Sequence, residues 1–184
     1  MEQTEKLDFL IQSLVKLSRM ESGIIAVHPE DTAIKQMLES IQQQFNVKVR
    51  EKNITLRLCD TDLHVRCDSK WTVEALGNIV DNAIKYTACG GNVQIKVEQY
   101  SFFVKIDIID DGIGIEKEEI PKIFGRFYRS LSVADQPGVG IGLFLAREII
   151  QTQKGYIKVT SKRGKGYYIF CVSSDSKEGI VSKL

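Results

Sequence analysis

At 184 residues and 43% hydrophobic, the chain is long and apolar enough to bury one substantial core, and it reads as a single soluble domain. A formal net charge of +1 gives no electrostatic reason to expect nucleic acid or an anionic membrane surface as a partner. No apolar run has the length of a bilayer span, no secretory leader is expected, and Cys59, Cys67, Cys89 and Cys171 lack paired C-x-x-C spacing, so reduced thiols in a cytosolic setting are favoured over zinc or disulfides.

In chain order, Leu7, Leu10, Leu14 and Leu17 repeat with 3–4–3 spacing, widened by Ile11 and Val15, and predict an amphipathic helix closed by Gly23. One such helix cannot bury its stripe alone, so folding back onto the domain and pairing with another molecule both stay open. Residues 24–28 read as a short strand, and Asp31 or Thr32 as the cap of a helix reaching about Glu51. Residues 54–59 and 64–67 alternate as strands, and Ser69 is read as the cap of a helix ending near Ala88. Residues 92–99 and 102–109 form a hairpin around Tyr100-Ser101. A helix then follows Gly142 to about Gln153, and residues 156–161 and 167–172 form a closing hairpin. The expected class is α+β: a two-layer α/β sandwich, three helices on a mixed, mostly antiparallel sheet, with an added amino-terminal helix. The domain is expected over 24–173, preceded by the helix of 1–23 and followed by a polar tail at 174–184.

Three segments carry chemistry. In 78–87, Asn78, Asn82 and Lys85 fall at i, i+4 and i+7 and share one helical face, while Leu76, Val80 and Ala83 take the opposite one. One side enters a core; the other presents two amide oxygens and a cation. Mg²⁺ prefers oxygen ligands and often shares them with substrate phosphates, and neutral amides add no negative charge beside a triphosphate. In Asp110-Asp111-Gly112-Ile113-Gly114, an apolar strand delivers a carboxylate to a glycine turn. An ionised carboxylate only accepts hydrogen bonds, so it suits the exocyclic amine of adenine and opposes the carbonyl of guanine. In Gly138-Val139-Gly140-Ile141-Gly142-Leu143, glycines run into an apolar helix, whose N–H groups and dipole favour phosphate. Taken singly, each motif also fits an ordinary surface helix, an acidic turn or a dinucleotide loop.

Their order resembles the ATP-binding domain of sensor histidine kinases, in the superfamily shared with DNA gyrase, heat-shock chaperone and mismatch-repair ATPases. The asparagine box is 78–87, the first glycine box 110–115, the phenylalanine box 123–129 and the second glycine box 138–143, with a closing pattern over 155–159 and 161–166. The resemblance covers roughly residues 24–173 and implies a Bergerat-type ATP-binding fold taking ATP and Mg²⁺. It makes Asn82 the principal metal ligand with Asn78 beside it, and turns Lys85 and Tyr86 to the phosphates or ribose. Asp110 would bind the adenine amine, while Gly112, Gly114, Gly138, Gly140 and Gly142, with Leu143, would shape the nucleotide turns. Residues from about 116 to 137 would form a mobile lid. Arg126 and Arg129 become candidates for γ-phosphate contact, since guanidinium groups stabilise a transferring phosphoryl. Gly125 stands where the family often carries glutamate.

The related ATPases place a water-activating glutamate where this chain has Asn78. An amide is no general base, so transfer to a nucleophile outside this sequence is expected, with slow hydrolysis. Neither histidine suits that nucleophile: His28 precedes Pro29, and His64 lies in a strand-like run. The amino-terminal helix resembles the second helix of the family's dimerisation and phosphotransfer hairpin. The resemblance therefore implies several partners and a setting: a histidine-bearing dimerisation helix of the same kinase, a homodimer, a cognate response regulator, and a cytoplasmic position in a membrane-anchored bacterial sensor kinase. Two other readings share the fold, an ATP-sensing regulatory domain and a serine kinase.

Overall fold

The structure is a computed structural model describing residues 26–133, 136, 138–161 and 166–173, together with 7, 11, 12, 14–16, 18 and 19. At 131 and 166–173 only the backbone is described. The expectations for Leu10, Leu17, the Gly23 cap, the Cys171 thiol and the 174–184 tail lie outside these residues.

Helix α1, Ile34–Glu51, buries Ile34, Met37, Leu38, Ile41 and Phe45, a stripe of i, i+3, i+4, i+7 and i+11 positions. Helix α2, Ser69–Tyr86, buries Ala75, Leu76, Ile79, Val80, Ala83 and Ile84. Helix α3, Gly142–Thr152, buries Phe144, Leu145, Ala146, Ile149 and Ile150. Of these, the stripe of α2 was legible in the sequence, as Leu76, Val80 and Ala83 on one helical face, and all three helices turn their stripes onto one sheet.

That sheet has five strands in the order β2-β4-β5-β7-β6: Thr55–Leu58, Asn92–Gln99, Phe103–Asp110, Gly166–Ser173 and Tyr156–Val159. Strand β2 runs parallel to β4 and every other pairing is antiparallel. The two-layer α+β class is therefore as expected. On β5, Val104, Ile106 and Ile108 are fully buried and face the helices, with Val93 and Ile95 of β4 beside them. Lys105 lies on the other face, paired with Glu98 at 3.0 Å and Asp107 at 2.9 Å. Strand alternation carries the helix-facing set on to Asp110, the last residue of β5, so the carboxylate ends beneath the helical layer rather than in solvent.

Three expectations about starts of elements are corrected. Among the described residues the first strand is β1, Glu30–Ala33, and residues 26–28 of the expected 24–28 strand are not in a strand. Strand β1 pairs antiparallel with β3, His64–Cys67, as a separate ribbon. Asp31 and Thr32 consequently do not cap α1: Asp31 meets His64 Nδ1 at 2.8 Å, and the Thr32 hydroxyl donates to the Glu30 and Cys67 carbonyls. Ala33 occupies the cap position with no side-chain bond.

The cap of α2 is Asp68, not Ser69. Its Oδ1 accepts from Trp71 N at 3.1 Å and its Oδ2 from His28 N at 3.0 Å. The Asp68 N–H in turn donates to Gln153 Oε1 at 2.7 Å, tying the start of α2 to the end of α3. Asp68→Ala is expected to lower stability by about 1 kcal/mol, as cap deletions do, and the melting temperature by roughly 3 °C. Thermal unfolding followed by circular dichroism measures it.

Among the described residues, those at 7, 11, 12, 14–16, 18 and 19 are helical. Leu7, Ile11, Leu14 and Val15 are 57, 53, 46 and 43% exposed, while Lys16 Nζ reaches Glu74 of α2 at 2.7 Å. No helix of the described residues is long and apolar enough to cross a membrane.

Candidate functional site

A single pocket gathers most of the residues singled out in the sequence. It lies between α2, the turn after β5, the loop entering α3 and the 115–133 segment. It is lined by Asn78, Asn82, Lys85, Tyr86, Asp110, Gly114, Arg129, Gly138, Gly140, Gly142 and Leu143, among others. Helical spacing explains the first three, which share one face of α2 opposite its buried stripe.

Each polar group is held by a specific contact. Asn78 Nδ2 donates to the Glu74 carbonyl at 3.0 Å, which leaves Oδ1 turned to the start of α3. A side chain at Gly142 would begin 3.1 Å from that oxygen, so glycine there keeps the amide oxygen open to the pocket. Lys85 Nζ donates to the Tyr86 hydroxyl at 3.0 Å and lies 4.7 Å above the Tyr86 ring. The same ammonium would stand 2.8 Å from any Cβ at Gly138. These are neutral oxygen donors and a cation on one wall, a set that fits a hard divalent ion carrying phosphates. No cluster of three or more His, Cys, Asp and Glu side chains suited to a metal occurs among the described residues.

Asp110 is 7% exposed, and its Oδ1 accepts from Gly112 N at 2.9 Å. Gly112 itself lies beneath the pocket, where a Cβ would come 2.7 Å from the Tyr86 carbonyl and 2.8 Å from Asp110 Oδ1. Only glycine lets the turn pass so close to the end of α2. Asp111 points away and accepts from both the backbone and side-chain N–H groups of Asn92, each at 2.8 Å, which holds its carboxyl below the usual range. The two adjacent acids thus divide their work: Asp111 anchors the turn and Asp110 faces the pocket.

Residues 67–176 match the family described as histidine kinase-, DNA gyrase B- and HSP90-like ATPase. The chain belongs to this family. Sensor histidine kinase WalK of Bacillus subtilis (strain 168) is 33% identical over 169 residues, covering 89% of this chain and 28% of WalK. The methanogenesis regulatory histidine kinase FilI of Methanothrix harundinacea (strain 6Ac) is 32% identical, over 88% of this chain and 18% of FilI. The solved structure of the Acinetobacter baumannii histidine kinase AdeS matches with a TM-score of 0.81 at 26% identity, over 95% of this chain and 81% of that one. The chain therefore spans less than a third of these two curated relatives, and it corresponds to the ATP-binding catalytic domain of sensor histidine kinases.

In this histidine kinase domain the two arginines of the phenylalanine box separate. Phe127 between them adopts a positive φ of 59°, which turns the chain. Arg129 lines the pocket and donates to the Val133 and Gln136 carbonyls. Arg126 is not among the lining residues: its guanidinium stacks 4.7 Å from the Phe144 ring centre, on the first turn of α3. Arg147 adds a second cation over Phe124 at 5.5 Å and Phe144 at 5.6 Å. This stack fastens the segment before the second glycine box to α3. Gly140, with φ of +79°, packs so tightly on that segment that a Cβ would meet the Tyr128 carbonyl at 2.5 Å.

Sequence reasoning missed the apolar walls: Ile113, Ile115, Ile123, Val139 and Ile141 line the pocket with Leu143. Except for Ile123, which lies in the phenylalanine box, their signal was present, since an aliphatic residue follows or precedes each glycine of both glycine boxes. A flat heterocycle beside Asp110 needs such walls. The segment also brings Tyr128 to the lining, its hydroxyl donating to Glu119 Oε1 at 3.1 Å.

Proposed function

We propose that this domain binds Mg²⁺·ATP in the pocket between α2 and α3 and transfers the γ-phosphoryl group to a histidine on a dimerisation helix outside this chain. The observation that carries the reading is convergence: the Asn78 and Asn82 amides, the Lys85 ammonium, the buried Asp110 carboxylate and the glycine turns all border one pocket. Asn82 and Asn78 would hold the metal, which when bound shields charge on the phosphates. Asp110 accepts from the exocyclic amine of adenine, and the aliphatic walls sandwich the ring. Lys85 and Tyr86 face the phosphates, and the N–H groups of 138–142 at the start of α3 receive them. Arg129 borders the same space as a counter-charge for the transferring group.

Transfer rather than hydrolysis is supported by what stands at position 78. Asn78 presents an amide where a general base would be needed to activate water, and Glu74 one turn earlier is engaged by Lys16. Phosphoryl transfer needs little beyond positioning and charge stabilisation.

The helical residues before 26 fit the second helix of a dimerisation hairpin, because Leu7, Ile11, Leu14 and Val15 leave their apolar stripe in solvent. A homodimer, a response regulator receiving the phosphoryl group and a membrane-anchored parent follow from that reading. The test mixes this chain with a histidine-bearing hairpin of the same kinase, labelled ATP and Mg²⁺. Acid-labile label on the hairpin is expected. Bound nucleotide with no label transfer would make the domain an ATP sensor instead.

A further inference from the structure

Lys52, just past the end of α1, lies outside the pocket and carries none of the sequence motifs, yet it grips the end of the asparagine-box helix. Its ammonium donates to three carbonyls: Ile84 at 2.8 Å, Lys85 at 2.9 Å and Thr87 at 2.7 Å. An ammonium has three N–H donors and no acceptor, so all its capacity is spent on this one helix end. These carbonyls are the groups a helix leaves without internal partners, at the pole where the helix dipole favours a cation. The backbone of Lys52 adds a fourth link, its carbonyl accepting from Gly90 N at 3.0 Å in the turn that leads to β4.

We infer that Lys52 is a positioning residue for the nucleotide site, an inference that rests on the function proposed above. The helix end it holds supplies Lys85 and Tyr86 to the pocket. The next carbonyl, that of Tyr86, accepts from Ile113 N at 3.4 Å and packs against Gly112 in the turn after Asp110. One cation therefore fixes, through the backbone, both the phosphate-facing side chains and the base-reading turn. Releasing it frees the last turn of α2 to unwind, and the two halves of the pocket lose their common reference.

The experiment is calorimetric titration of Mg²⁺·ATP and Mg²⁺·GTP into the unmodified chain, Lys52→Met and Lys52→Arg, each first shown by its melting curve to be folded at the working temperature. Lys52→Met is expected to bind Mg²⁺·ATP roughly tenfold more weakly, the scale of losing charge-assisted bonds to a helix end, and to show a smaller preference for ATP over GTP. Lys52→Arg, which keeps the charge and the donors, is expected to recover most of both. A stabilising contact with no positioning role would lower the melting temperature and leave affinity and base preference unchanged in the folded variant; that result overturns the inference. If Lys52→Met does not fold, Lys52→Gln, with two N–H donors and no charge, is read by the same criteria. An unmodified chain that binds no Mg²⁺·ATP overturns the functional reading and this inference with it. An unmodified chain that binds as well as folded Lys52→Met, and no better, overturns the inference alone.

Discussion

Replacing Asp110 by alanine is expected to weaken ATP binding by about two orders of magnitude, because a hydrogen bond to a buried charged acceptor is worth about 1.5–3 kcal/mol. The carboxylate is 7% exposed at the end of β5, on the helix-facing side of the strand, so water would not take over the base contact proposed for it. The variant also leaves the Gly112 N–H without its 2.9 Å acceptor, and some stability should be lost. Asp110→Asn separates these effects. An amide oxygen can still accept from Gly112 N, while the amide nitrogen now offers a donor to the base. Adenine should lose its advantage and guanine should gain, because the carbonyl of guanine can accept where the amine of adenine cannot. Parallel titrations with ATP and GTP on both variants check this; retained adenine preference in Asp110→Asn would remove the residue from base recognition.

Asn82→Ala is the second large loss. With Asn78 held by the Glu74 carbonyl, Asn82 is the neighbouring amide on the pocket face of α2. Loss of even an outer-shell partner typically costs 10–100-fold in metal affinity, so removing a direct oxygen should cost at least about 100-fold. The unmodified chain should bind ATP much more tightly with Mg²⁺ than with a chelator, and in Asn82→Ala that difference should collapse, together with label transfer to the hairpin. Asn82→Asp is the informative comparison. It keeps an oxygen for the metal and adds negative charge beside the phosphates, so Mg²⁺ dependence persists while ATP affinity falls. A chain whose ATP binding is indifferent to Mg²⁺, with or without Asn82, would take the metal role away from this residue.

How much of this was legible in the sequence follows from which forces are local. The 3.6-residue period of 69–86 already put Asn78, Asn82 and Lys85 on one face. This is fixed by backbone geometry and needs no partner. The sequence shows 102–109 only as a strand delivering Asp110 to a turn, and the helix-facing side of Asp110 emerges from the observed register of 103–110. The first strand was misplaced because an apolar run at 24–28 looked like one, while its described residues, 26–28, lie outside any strand. The ribbon instead forms at Glu30–Ala33, where the backbone finds β3, and Pro29 cannot donate to such a ladder. Asp68 and Ser69 are equally good caps by composition; Asp68 wins because its two oxygens reach Trp71 N and His28 N, the second 40 residues away. The roles of Arg126 and Arg129 could not be separated from spacing, since the positive φ of Phe127 between them is set by tertiary packing. Lys52 left no trace at all: its three acceptors lie 32 to 35 residues away, and a lysine after a helix is ordinary.

The most direct test of the central claim is calorimetry of the unmodified chain with Mg²⁺·ATP against Mg²⁺·GTP and against ATP in chelator. The arrangement of amides, lysine and a single buried aspartate predicts binding of one nucleotide per chain, with ATP favoured at least about tenfold over GTP and dependent on Mg²⁺. Equal affinity for both purines, or no binding of ATP at all, would contradict it.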